Sequence, residues 1–290
     1  MLMLSSLLWG ASFIFTKGLF LTEPHITPFL IVTGRLLIAT ACFVPFLLVT
    51  HRLEPIRKGD LPMFLLLSLF EPFLYSILET TGVSYVSASL ASIIVATIPL
   101  FVPFGVALAY RERLRLLSVL GVALSLVGVF VMVAGPQAEF GASGRGVACL
   151  SGAVVIAVGY TLVLSKILKR YRPVTITAYQ NLISLVYFVP VILIFDTDAL
   201  PLLSYSWGMW GRLAFLGLLC STLAYVFYNY GMRAVGPTAA SVYNNLIPVA
   251  SLLLAVAIGQ ERLTLSKVVG MAVVIMGLFL AQRRNGGSGQ

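Results

Sequence analysis

Residues 98–130 read IPLFVPFGVALAYRERLRLLSVLGVALSLVGVF, and residues 247–279 return the pattern as IPVASLLLAVAIGQERLTLSKVVGMAVVIMGLF. A shift of 149 positions superimposes the two stretches without a gap, and the match extends back to Gly82 and Gly231. It places Glu112-Arg113-Leu114 on Glu261-Arg262-Leu263. An internal duplication in an apolar chain is typical of secondary transporters.

The composition places both copies in a membrane. Hydrophobic residues make up 59% of the 290 residues and charged residues only 10%, against about 25% charged in soluble domains. Apolar runs of about 20 residues, enough to cross the hydrocarbon core as a helix, recur along the whole chain. We predict ten spans, at 2–20, 27–49, 61–82, 86–108, 114–134, 144–166, 174–195, 210–231, 238–258 and 264–282.

Five spans in each copy is an odd number, so the second copy must enter the membrane from the other side. The predicted fold is therefore an all-α polytopic membrane protein of ten transmembrane helices, built as two inverted five-helix repeats around a central cavity. The first repeat covers residues 1–135 and the second covers 144–284. Residues 285–290 read as a flexible linker tail.

The distribution of basic residues predicts the orientation. With the N-terminus inside, the inner joints and the C-terminal end hold thirteen Lys and Arg residues and the outer joints hold five. This bias predicts a multi-pass protein of the cytoplasmic membrane with both termini in the cytoplasm. It also accounts for the net charge of +9, so we do not expect a nucleic-acid partner.

The ten spans and the doubled Pro99…Glu112-Arg113-Leu114 and Pro248…Glu261-Arg262-Leu263 pattern resemble the drug/metabolite transporter superfamily, EamA-type. The opening Trp9-Gly10-Ala11-Ser12-Phe13 resembles it as well, although Val158 stands where the second copy would carry its own tryptophan. The resemblance covers essentially the whole chain. It implies an inner-membrane exporter of metabolites or drug-like compounds.

Buried polar residues that occur in only one copy are the best functional candidates. Glu71, Tyr75 and Glu79 are spaced by four residues and therefore lie on one helical face; their counterparts are Cys220, Ala224 and Tyr228. Arg35, in the second span, has Ser184 as its counterpart. An ionisable group inside a membrane is costly and faces a cavity or a partner. We predict that Glu71, Glu79 and Arg35 serve ion or proton coupling; the alternative is a structural ion pair that only pins two spans together.

The second copy supplies phenols and amides instead of charges. We predict that the cavity is lined by Tyr75 and two residues of the first span together with this polar set: Trp9, Ser12, Tyr75, Tyr179, Asn181, Tyr228, Asn244 and Asn245. For each residue, the alternative is a hydrogen bond between helices that involves no substrate.

Two further patterns concern packing. Pro99 and Pro248 remove the hydrogen bonds to the carbonyls of Val95 and Asn244, which predicts a kink in each copy. The pairs Gly121/Gly128 and Gly270/Gly277 are seven apart and lie on one face, which predicts close helix packing and is compatible with a homodimer.

The chain carries no phosphate-binding, nucleotide-binding or hydrolase motif, so we expect no enzyme activity, no metal and no cofactor. The prediction is a secondary active transporter that exports a small metabolite, amino acid or drug-like compound by alternating access, driven by protons or by the gradient of its substrate. The open alternatives are an uptake or exchange carrier and, in another class, a non-transporting membrane protein such as a lipid scramblase. The expected partners are a small-molecule substrate, protons and membrane lipid.

Overall fold

The computed structural model describes residues 1–23, 25–110, 116–133, 144–196, 205–259 and 262–282, and these residues form helices and short connections, without strands. Several predicted features lie outside the described residues: Glu112-Arg113-Leu114, Glu261, the repeat boundary at 135 and the tail 285–290. In chain order the helices are α1 (Leu2–Thr22), α2 (Pro28–Val49), α3 (Leu61–Ser68), α4 (Tyr75–Tyr85), α5 (Ala88–Val95), α6 (Ile98–Tyr110), α7 (Leu116–Val133), α8 (Gly144–Ile167), α9 (Pro173–Phe195), α10 (Trp207–Ala214), α11 (Ala224–Val235), α12 (Pro237–Val242), α13 (Leu246–Ala257) and α14 (Leu265–Gln282).

The all-helical, multi-span class is confirmed. Eight helical segments of the described chain are long and apolar enough to cross a membrane, and Leu265–Gly277 is a shorter apolar helix. Large apolar side chains cover the outside, such as Leu108, Leu253 and Phe279, as expected for a surface in contact with lipid. The count of ten spans stays a prediction.

The prolines interrupt the helices where the sequence predicted kinks. Helix α5 ends at Val95, and α6 begins at Ile98, next to Pro99. In the second copy, α12 and α13 are separated by a 3-10 turn at Tyr243–Asn245, just before Pro248. Both breaks follow from the missing proline N–H, which leaves a carbonyl one turn earlier without its helical partner.

A second pair of interruptions was not predicted. A kink at Leu69–Leu74 joins α3 to α4, and a π-helical segment, Phe215–Leu223, joins α10 to α11. The shift of 149 places residues 69–74 on 218–223, so the two segments occupy matched positions. In the first segment Glu71 leaves the helix altogether, with φ −142° and ψ 126°. π-helical segments such as the second are frequent at functional sites.

The copies pack against each other through matched glycines. A Cβ on Gly82 would lie 2.5 Å from Leu150 at the start of α8, and a Cβ on Gly231 would lie 2.3 Å from Leu2 at the start of α1. Helices α7 and α14 meet at Gly128, whose Cβ would lie 2.8 Å from the carbonyl oxygen of Gly270. At Gly128 a Cβ would meet backbone atoms, so only glycine permits this approach, and the packing role predicted for Gly128 and Gly270 is confirmed.

Polar contacts join the copies at both ends of the bundle. At the end where α1 begins, here called the N-terminal face, Arg170 pairs with Asp60 and Tyr171 Oη donates to Asp60 Oδ2 at 2.9 Å. Burial and the adjacent Asp60 carboxylate raise the pKa of the Tyr171 phenol, which therefore keeps its proton. At the other end, here called the opposite face, Thr27 donates to Asp196 and Ser206 donates to Glu23.

Candidate functional site

A cavity lies between the helices of the two copies. Its wall is formed by residues at or close to the two proline breaks (between α5 and α6 and between α12 and α13), by residues at or close to the other two interruptions (between α3 and α4 and between α10 and α11), and by the middles of α1, α2 and α8. Its lining comprises Trp9, Ser12, Phe13, Arg35, Glu71, Tyr75, Glu79, Val95, Ile98, Ala157, Tyr160, Thr161, Cys220, Ser221, Tyr225, Tyr228, Asn244 and Ile247.

The lining is built from matched positions of the two copies. Five pairs related by the shift of 149 both reach the cavity: Ser12/Thr161, Glu71/Cys220, Glu79/Tyr228, Val95/Asn244 and Ile98/Ile247. The two copies therefore contribute equivalent parts of their helices to one cavity. They contribute different chemistry, because both carboxylates come from the first copy.

Glu71 lies at the kink between α3 and α4 and is only 2% exposed. Its Oε1 atom accepts a hydrogen bond from the hydroxyl of Tyr225, in the second copy, and a longer one of 3.4 Å from Ser76 Oγ. Its Oε2 atom has no partner among the described residues. A buried carboxyl with one oxygen held and one open is suited to bind a cationic group or a proton.

Arg35 approaches Glu71 indirectly, which differs from the direct contact that the sequence suggested. Its Nη2 atom donates to Ser76 Oγ at 2.7 Å, and Ser76 in turn donates to Glu71. The reason is local. Glu71 leaves the helix and turns toward Tyr225, and Ser76, about one turn further along, accepts the hydrogen bond of the guanidinium. Arg35 is 6% exposed, and its Nε atom has no hydrogen-bond partner in the part of the chain that is described.

Glu79 lies on the next turn of the same face and accepts a hydrogen bond of 3.3 Å from Tyr75 Oη. The cavity thus holds two carboxylates and one guanidinium without a direct pair between Arg35 and either Glu. This arrangement leaves charges of both signs available to a bound molecule.

Aromatic rings form part of the cavity wall beside Glu71. Trp9 packs against Tyr225 with ring centroids 5.0 Å apart and against Tyr228 at 5.1 Å. These contacts leave the edges and faces of several rings toward the cavity. Such rings bury apolar groups of a ligand and attract cations to their faces.

At each of the two interruptions, Leu69–Leu74 and Phe215–Leu223, a main-chain carbonyl accepts a hydrogen bond from a side chain of another helix. The two carbonyls are at matched positions, but their donors differ. Gln180 Nε2 donates to the carbonyl of Glu71 at 3.0 Å, whereas Trp9 Nε1 donates to the carbonyl of Cys220 at 3.3 Å. Pro72 has no N–H to donate to the carbonyl of Ser68. Ser184 Oγ donates a hydrogen bond of 3.0 Å to that carbonyl instead. Trp9 therefore braces the backbone as well as lining the cavity.

Most of the predicted residues lie together in this cavity: Trp9, Ser12, Arg35, Glu71, Tyr75, Glu79, Tyr228 and Asn244. Their roles toward a substrate stay predictions. Asn181 lines a smaller adjoining cavity instead. Tyr179 and Asn245 line neither one; the ring of Tyr179 packs edge-on against Phe64 at 5.6 Å, on another face of α9.

The sequence reasoning passed over several lining residues. Thr161 is the matched partner of Ser12, and Cys220 that of Glu71, so the duplication itself could have identified both. Tyr225 lies one turn before the predicted Tyr228, in the same tyrosine-rich stretch of α11. Tyr160, whose buried hydroxyl has no partner among the described residues, carried no sequence signal.

Comparisons with known proteins agree with this architecture. The model of the EamA-like transporter family matches residues 1–134 and 144–282. A protein of Archaeoglobus fulgidus described as an uncharacterized transporter is 28% identical over 276 residues, 95% of each chain. A protein of Streptantibioticus cattleyicolor described as a probable terminal-alkyne amino-acid exporter is 29% identical over 257 residues, 87% of this chain and 82% of that one.

A solved crystal structure superimposes with a TM-score of 0.70, covering 96% of this chain and 97% of the other, at 18% identity. At that identity the likeness concerns the fold alone.

Proposed function

Because the chain belongs to the EamA-like transporter family, we propose that it is a secondary active exporter of a small metabolite, amino acid or drug-like compound, coupled to protons through Glu71. The observation that carries the proposal is the position of Glu71. It is a buried carboxyl at an interrupted membrane helix, in a cavity between the two copies, and the matched position holds Cys220. Interrupted helices at a central cavity are typical of binding sites in secondary transporters.

The chemistry of the cavity favours an amphipathic zwitterion or cation. A substrate ammonium group can approach the open oxygen of Glu71, and a carboxylate can approach the unpartnered Nε of Arg35. The rings of Trp9, Tyr225 and Tyr228 offer an apolar surface for the remainder of the molecule. The amino-acid exporter named among the relatives supports the same class.

Alternating access follows from the relation that we propose between the copies, namely two inverted repeats at 1–135 and 144–284. The matched glycine contacts support it, because Gly82 packs at the opposite face and Gly231 at the N-terminal face. The matched cavity positions support it as well. Rocking of the four interrupted helices against their partners would then open the cavity to one face at a time.

The remaining parts of the proposal concern location and coupling. The charge bias of the joints supports the cytoplasmic membrane with both termini inside. The alternating partner of Glu71 is either a proton or the cationic end of the substrate, so that binding of one releases the other. We propose no catalysis and no cofactor.

The experiment is transport into sealed liposomes that contain the purified protein and carry an imposed pH gradient. Amino acids, polyamines and amphipathic cations form the test panel. We expect accumulation of at least one zwitterion or cation that depends on the direction of the gradient. Movement of fluorescent lipid without accumulation of any panel member would instead indicate a scramblase and contradict the proposal.

A further inference from the structure

A second, smaller cavity, with room for about one water molecule, adjoins the first. Arg35, Ser221 and Tyr225 line both cavities, so these side chains form the partition between them. The remaining lining residues of the smaller cavity are Pro72, Thr177, Gln180 and Asn181.

The smaller cavity follows a polar stripe on α9. Thr177, Gln180, Asn181 and Ser184 are spaced by three, one and three residues and so share one helical face, and all four are buried. Thr177 lies four residues after Pro173, where α9 starts at the N-terminal face. The stripe therefore reaches from about one turn inside that face to the level of Glu71.

The matched stripe of the first copy is apolar except at its innermost position, which is Arg35. The same four positions of α2 hold Pro28, Ile31, Val32 and Arg35, and Ile31 and Val32 are fully buried. This stripe begins at the opposite face. Equivalent helical faces thus lead inward from the two ends of the molecule, one polar and one apolar.

Hydrogen bonds to the interrupted helices account for only part of the polar stripe. Gln180, Asn181 and Ser184 donate to the carbonyls of Glu71, Ser221 and Ser68. Besides these three hydrogen bonds, two atoms of the lining have no partner in the described chain, namely the acceptor Gln180 Oε1 and the donor Arg35 Nε. Both residues are more than nine-tenths buried, where an unsatisfied polar atom destabilises the fold.

We propose that the smaller cavity holds water and connects the surroundings of Glu71 to the N-terminal face along α9, while the apolar stripe of α2 keeps the opposite approach dry. Water can accept from Arg35 Nε and donate to Gln180 Oε1, which satisfies both atoms at once. The use of this path for protons rests on the proposed function; the presence of water in it does not.

The experiment compares single cysteines at matched positions, in a background in which Cys42, Cys149 and Cys220 are replaced by Ala. Asn181→Cys lies in the smaller cavity, and Val32→Cys is its counterpart in the apolar stripe. Sealed vesicles of each orientation are exposed to Ag⁺, which is small enough for narrow aqueous paths, and the remaining thiol is then titrated with a maleimide after denaturation. We expect Asn181→Cys to react at least about tenfold faster than Val32→Cys, equivalent to about 1.4 kcal/mol, with Ag⁺ applied at the N-terminal face.

Thr177→Cys, which lines only the smaller cavity, replaces Asn181→Cys if the latter variant does not fold, as judged by a monodisperse size-exclusion peak. Equal rates for the cavity cysteine and Val32→Cys, or faster reaction from the opposite face, would overturn the proposal. Neither result involves transport, so a failure of the proposed function in the liposome assay stays distinguishable from a failure of this inference.

Discussion

The two interruptions, the kink at Leu69–Leu74 and the π-helical segment Phe215–Leu223, share a position and differ in chemistry. The first carries Glu71-Pro72 and the second carries Cys220-Ser221 at the matched positions. Both place a side chain in the same cavity, and both leave a main-chain carbonyl that accepts a hydrogen bond from a side chain of another helix. The interruption therefore belongs to the duplicated scaffold, whereas the carboxylate belongs to one copy and carries the proposed coupling.

The largest expected effect comes from making the two interruptions alike. Glu71→Cys gives the first segment the residue of the second, and we expect it to abolish transport driven by a pH gradient because no carboxyl remains at the interruption. The reciprocal double variant, Glu71→Cys with Cys220→Glu, restores the carboxyl on the wrong side. Since Ser76 and Tyr225 hydrogen-bond to the carboxyl at residue 71, we expect the double variant not to recover transport driven by a pH gradient. Recovery in liposomes would contradict the distinction between the two segments.

Arg35→Ser tests the next difference, because it copies Ser184. Loss of a hydrogen bond from a charged donor costs about 1.5–3 kcal/mol, which corresponds to an increase of about 10- to 150-fold in the KM of a carboxylate-bearing substrate. Ser184→Ala is the matched control, since it removes only the bond to the Ser68 carbonyl. A KM unchanged in Arg35→Ser would exclude Arg35 from substrate binding.

Tyr225→Phe removes the hydroxyl that holds Glu71 and keeps the ring against Trp9. Glu71 keeps its hydrogen bond from Ser76, so we expect only the net contribution of a typical hydrogen bond, about 0.5–1.5 kcal/mol, and a fall of about 2- to 12-fold in transport efficiency, kcat/KM. Tyr228 packs on the same tryptophan, and Tyr228→Phe serves as control with a smaller effect. Equal losses in both variants would show that the hydroxyl of Tyr225 has no special role.

Trp9→Phe removes the donor to the Cys220 carbonyl, and Gln180→Ile removes the donor to the Glu71 carbonyl by copying its counterpart Ile31. Each leaves a main-chain carbonyl unsatisfied, so we expect both to lower the melting temperature by about 2–4 °C per kcal/mol lost. A scanning fluorimetry measurement in detergent checks this. No shift in either variant would mean that the braces contribute nothing to stability.

Tyr179→Phe should have the smallest effect, because the ring packs against Phe64 outside both cavities. We expect its transport rate to equal that of the wild type, measured in the same liposomes. A marked loss would return Tyr179 to the binding site predicted from sequence.

The helical class could be predicted because the membrane thickness sets the length of the apolar runs, and the proline breaks because a missing N–H affects only its own helix. Most of the cavity residues could be predicted because the duplication shows which buried polar residues occur in only one copy. The tertiary arrangement decided the rest. Glu71, Tyr75 and Glu79 share a face in any regular helix. Because Glu71 leaves the helix, it accepts a hydrogen bond from Tyr225, and Arg35 donates to Ser76 instead of to Glu71. Tyr179 and Asn181 are two residues apart on α9, so helix periodicity alone separates them onto different faces.

The most direct measurement compares two modes of transport by Glu71→Gln in the same liposomes, using a substrate identified with the wild-type protein. One mode is accumulation driven by a pH gradient, and the other is exchange of labelled for unlabelled substrate without a gradient. The amide keeps the shape of the site and cannot exchange a proton, so we predict that exchange persists and gradient-driven accumulation disappears. Full gradient-driven accumulation by this variant would contradict the role of Glu71 in coupling.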